Sequence, residues 1–93
     1  MAKTVSVLKH RHRTGRTVVY SGTVEELRNE VFGYTLDAGA SWDNKVNREP
    51  KTVKSLVTAL NRSGMATGSY DSYEVATEAH VAAAKEDGSY YPR

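Results

Sequence analysis

The densest chemistry in this chain lies in eight consecutive residues, Lys9-His10-Arg11-His12-Arg13-Thr14-Gly15-Arg16. On an extended strand Lys9, Arg11 and Arg13 share one face, and His10 and His12 share the other. Ammonium and guanidinium groups on a protruding ribbon suit two anionic targets. One is nucleic acid, whose major groove admits a two-stranded ribbon; the other is an acidic protein surface. A charged hairpin end also resists edge-to-edge pairing. His10-x-His12 is a spacing that metal ligands can use. The only other imidazole is His80, however, no cysteine or HExxH pattern is present, and the neighbouring cations repel a metal ion. No metal and no cofactor are expected.

Other candidate chemistry is thinner. Asp37, Asp43 and Glu49 share no helical or strand face by spacing, so they do not read as an acid–base pair. Ser41 lacks the G-x-S-x-G context of an activated nucleophile. Neither the dinucleotide nor the P-loop glycine pattern occurs. Without cysteine, a disulfide scaffold and thiol catalysis are excluded. No enzymatic activity is expected. Trp42 and the tyrosines Tyr34, Tyr70, Tyr73, Tyr90 and Tyr91 form a second theme. Aromatic side chains in loops and tails anchor partners; alternatively, Tyr34 and Tyr73 belong to the core and Trp42 folds its loop down.

Charge sharpens the first theme. The formal net charge is only +2, yet residues 1–20 carry five cations and no acid. Residues 21–49 hold three cations against six acids, residues 50–68 three cations (Lys51, Lys54 and Arg62) and no acid, and the remainder two cations against five acids. Near-neutrality is therefore a cancellation between segments, and Lys51 and Lys54 are candidates to extend the hairpin's basic patch. No run of 18 apolar residues is present, so no membrane partner is expected. The absence of a basic, then apolar, leader and of cysteine points to a cytoplasmic protein.

These groups need elements to position them. Thr4–Leu8 and Thr17–Tyr20 are rich in β-branched residues and read as a hairpin turning at Thr14-Gly15. Thr23-Val24-Glu25-Glu26 is a capping box opening a helix on which Val24, Leu27, Val31 and Tyr34 recur, with Gly33 stopping or bending it. Leu36 to Glu49 offers no obvious element beyond a short strand at Tyr34–Leu36, and loops of that length tend to be functional or mobile. Pro50 marks the start of a helix striped by Val53, Leu56, Val57 and Leu60, closed by glycine at Asn61–Gly64. Tyr70–Ala76 alternates as a third strand, and Thr77 caps an alanine-rich last helix. The expectation is a single α+β domain over residues 1–87. A small antiparallel sheet, the N-terminal β-hairpin plus a later strand, packs against two to three helices on one face, and residues 88–93 form a flexible tail. Its open edges make a homo-oligomer possible.

Val31-Phe32-Gly33-Tyr34-Thr35-Leu36-Asp37-Ala38-Gly39-Ala40-Ser41, followed by residues 47–61 (Asn47-Arg48-Glu49-Pro50 through Ala59-Leu60-Asn61), resembles a family of small uncharacterised proteins encoded by tailed bacteriophages. The resemblance covers the middle third and, more loosely, the hairpin; the segment after Thr77 departs from it. It implies a phage accessory protein in the bacterial host's cytoplasm. The expected function is non-enzymatic: binding that inhibits or redirects a host component through Lys9, His10, Arg11, His12, Arg13 and Arg16, with Trp42, Lys51 and Lys54 as further contacts. The alternatives are nucleic-acid binding through the basic hairpin, and a sponge for a small nucleotide-like ligand.

Overall fold

The computed structural model describes residues 3–93. Strands β1 (Val5–His10) and β2 (Thr17–Gly22) form the expected antiparallel hairpin, with Val7 opposite Tyr20 and Leu8 opposite Val19. β3 (Ser72–Val75) pairs antiparallel to β1, and β4 (Tyr90–Pro92) pairs parallel to β2, so the order is β3-β1-β2-β4. The fold is α+β, with a mixed sheet. Residues 88–93 are not a free tail: the Arg93 N–H donates to the Ser21 carbonyl at 2.8 Å, and the Arg93 guanidinium pairs with Glu30.

Alternation along β1 divides the interior. Val7 joins Leu27, Phe32, Leu36, Val46, Leu56, Ala59, Leu60 and Tyr73 on one face, and Leu8 joins Val19 and Ala84 on the other. The second cluster exists because α4 (Glu78–Asp87) lays Ala84 and Val81 over that face. Helices therefore cover both faces, where the sequence predicts one. Thr77 caps α4 as expected, and His80 accepts the reciprocal bond from the Thr77 N–H.

The first helix shows why periodicity misplaced Tyr34. The Thr23 capping box forms: the Thr23 hydroxyl accepts from the Glu26 N–H at 3.1 Å and Glu26 accepts from the Thr23 N–H at 2.9 Å. The Thr23 backbone bond, then its hydroxyl, holds the Glu26 carboxyl below its ordinary 4.5. After one turn of α1 (Val24–Glu26) the chain widens into a π-turn over Leu27–Val31, closed by the Phe32 N–H on the Leu27 carbonyl. The extra residue brings Leu27 and Phe32 to the same side, and α2 (Gly33–Trp42) continues that face with Leu36. Tyr34 rotates to solvent, 87% exposed. The segment expected to be a strand and then a long loop is thus mostly helix, and the irregular part shrinks to Asp43–Thr52.

α3 (Val53–Thr67) carries the predicted stripe but runs a turn further, to Gly68 in the left-handed conformation (φ +79°). Gly64 lies inside the helix because the loop before β3 crosses it: a Cβ there would lie 2.6 Å from the Asp71 carbonyl oxygen. Gly39 of α2 serves the same end against α3, where a Cβ would meet the Ser63 Cα at 2.7 Å. Ser63 is fully buried at this crossing, with no hydrogen-bond partner for its hydroxyl among the described residues. Gly39→Ala should therefore force the helices apart and cost about 2–3 kcal/mol, lowering the Tm by about 10–20 °C. Ser63→Ala removes an unsatisfied hydroxyl and should leave the Tm unchanged or raise it. Thermal melts followed by circular dichroism check both.

Candidate functional site

Strand β1 ends at His10, so the alternation expected through Arg13 stops there and the six-residue connection from Arg11 to Arg16 sets its own geometry. The Arg11 N–H bonds the Arg16 carbonyl and the Gly15 N–H bonds the Arg11 carbonyl, both at 2.9 Å, with Gly15 left-handed at φ +70°. Arg11, His12, Arg13 and Arg16 are exposed on this tip. Among the described residues no acid pairs with any of the three arginines, whereas Arg48, Arg62 and Arg93 are each paired and Arg28 donates to the Pro50 carbonyl instead.

Lys9 and His10 leave this cluster. Lys9 turns toward the face covered by α2 and α3, its Nζ 3.8 Å from Asp71 Oδ2 and 5.8 Å from the Tyr73 ring centroid. Burial pushes the Tyr73 hydroxyl up. His10 points to the opposite face, with Nε2 3.3 Å from Glu74 Oε2. On α4 the His80 Nε2 lies 3.8 Å from Glu74 Oε1, while its Nδ1 accepts the Thr77 N–H, which places the proton of the neutral ring on Nε2. His10 and His12 are therefore separated, and the Glu74 carboxylate lies between His10, within hydrogen-bond distance, and His80, which is further off. Among the described residues no group of three acids, histidines or cysteines is arranged to hold a metal ion.

Asp71 organises the tip. Its Oδ1 accepts the His12 N–H at 2.9 Å and its Oδ2 faces Lys9, so one carboxylate braces the turn from the α3–β3 loop. The residue before it, Tyr70, has a left-handed backbone at φ +56°, unusual for a bulky side chain. That conformation sets its ring edge-on to His12, 6.0 Å between centroids, while leaving it 59% exposed. The tip is thus an arginine cluster with an aromatic neighbour. The sequence offers Tyr70 only as one of several aromatics and does not point to Asp71, because their part depends on contacts 58 and 59 residues away in sequence and on a backbone angle no local pattern announces.

The remaining candidates lie elsewhere. Lys51 borders a recess with Lys3, Val5 and Thr52 at the open end of the hairpin. Thr67 and Gly68, at the far end of α3, border the tip. A 15-residue helix is about 22 Å long, so Lys51 and Lys54 do not extend the tip. Trp42 ends α2, 79% exposed, and does not fold its loop down. Asp37 pairs with Arg48, Asp43 with Arg62, and Glu49 is tied down only through its backbone N–H, which donates to Asn47 Oδ1, so no acid pair forms. The Lys45 N–H, with further help from Arg62, holds the Asp43 carboxyl below its ordinary value.

No family model matches the chain, and neither does any curated protein or solved structure. The functional reading therefore rests on the surface itself. If Asp71 is the brace described, Asp71→Ala should cost about 1–2 kcal/mol and release the tip. A lower Tm together with smaller backbone NMR order parameters at His12–Gly15 is the expected result.

Proposed function

We propose that this is a non-enzymatic binding protein that engages an acidic surface of a protein partner through its arginine tip. The observation that carries the reading is that three arginines without an acidic partner crowd one six-residue turn, whereas three of the four arginines elsewhere are ion-paired. Like charges held this close repel one another, a cost that an anionic partner relieves. Arginine beside an exposed tyrosine is also the composition in which protein interfaces concentrate their binding energy. Because Asp71 braces the turn, less order is lost on docking than a mobile loop would lose.

The resemblance of the middle segment to small phage proteins makes a host component in the bacterial cytoplasm the proposed partner, inhibited or redirected by occupation of its acidic surface. Trp42, exposed at the end of α2, supplies a second, apolar contact in this reading. A tip this small does not offer an extended track for a phosphate backbone, which supports a protein target for this surface over nucleic acid. No helix among the described residues is long and apolar enough to cross a membrane.

Reversing charge at Arg11 and Arg13 should abolish capture of the partner from host lysate, read by affinity purification with mass spectrometry. The Tm should hold or rise, since reversal relieves repulsion within the turn. Unchanged capture by the folded double variant would remove the tip from the function.

A further inference from the structure

A second basic surface lies away from the tip. Two recesses meet at Thr52: one is bordered by Lys3, Arg28 and Lys51, the other by Lys45, Lys54 and Arg62. Six cations therefore border a band of two adjoining recesses, one beside the start of α3 and the other running along the helix to Arg62. Only Glu25 among the lining residues is acidic, and Asp43 enters by bonding Arg62 at 2.7 Å. The molecule as a whole carries just +2, so this band holds a large share of a segregated charge.

Its composition differs from that of the tip. Four of the six cations are lysines, and the rest of the lining supplies the hydroxyls of Thr23, Thr52, Ser55 and Thr58 but no aromatic ring. Lysine is depleted at protein interfaces, whereas lysine, arginine and hydroxyl side chains make most contacts to nucleic-acid phosphates. Two of the cations are held in place: the Arg28 guanidinium donates to the Pro50 carbonyl at 3.4 Å, and Arg62 is fixed by Asp43. We infer that this band binds the phosphodiester backbone of a nucleic acid, without reading its bases. The inference is independent of the arginine tip, and the two can fail separately.

Fluorescence anisotropy of a labelled 20-base-pair DNA duplex, titrated with the full chain at 50–200 mM salt, tests it. About four or five neutralised phosphates give a slope of log affinity on log salt near −4, a loss of about 250-fold across that range. Lys51→Glu with Lys54→Glu should weaken binding at least tenfold at 50 mM and reduce the slope by about 2. Asp43→Asn, which keeps an oxygen for the Lys45 N–H and removes the negative charge beside Arg62, should tighten binding. Arg11→Glu with Arg13→Glu should leave both affinity and slope unchanged. No binding at 50 mM, or equal sensitivity to the tip variant, would overturn the inference. Equal competition by poly-glutamate of matched charge would overturn it in favour of an acidic protein ligand for this band.

Discussion

The side-chain amide of Asn61 takes the place of a missing strand. Pairing of Ala76 with Ser6 sets the phase of β3 on β1, so Tyr73 turns its N–H and carbonyl away from the sheet. Asn61 Oδ1 accepts that N–H at 2.7 Å and its Nδ2 donates to that carbonyl at 3.0 Å. One residue of α3 thereby docks the helix on the sheet edge and satisfies two backbone groups, each bond worth about 0.5–1.5 kcal/mol. With Asn61 in place, Leu56, Ala59 and Leu60 meet Val7 and Tyr73, and Ser63 faces α2 at Gly39.

This clamp shapes what the surface can do. A bare edge would invite strand addition by another chain. Here the β3 edge is occupied at Tyr73, and the opposite edge is three residues long and ends in Pro92, which has no N–H to offer. Neither edge offers a long run of free backbone groups, so recognition falls chiefly to side chains. The same docking lays α3 along the sheet from the open end of the hairpin to its tip, with Lys51 and Lys54 at its start, Arg62 further along and the arginine tip beside its end. Composition then separates them: arginine with tyrosine at the tip, lysine with hydroxyls in the band.

Much of this frame is legible in the sequence because it is encoded locally. The hairpin follows from β-branched runs around Thr14-Gly15, α1 from the Thr23–Glu26 box, α3 from its stripe, and α4 from Thr77. Features set by packing at a distance are not. The π-turn at Leu27–Val31 forms so that both Leu27 and Phe32 can be buried, and it sends Tyr34 outward against the helical period. Gly64 resembles a helix stop, yet it is there to admit the Asp71 carbonyl. β4 has too few residues to show a period and exists because β2 offers it a free edge. Of the candidate site, the exposed arginines were readable as such, while the withdrawal of Lys9 and His10 depended on Asp71 and Glu74, which join them only in the fold.

Amide hydrogen exchange at Tyr73 tests the clamp most directly. Val75 lies two residues along the same edge, faces the same way, and has no side-chain partner for its N–H among the described residues. The clamp predicts that the Tyr73 amide exchanges slowly, like the central amides of β1, while Val75 exchanges fast, and that Asn61→Ala abolishes the protection at Tyr73. Fast exchange at Tyr73 in the unaltered protein, matching Val75, would contradict it.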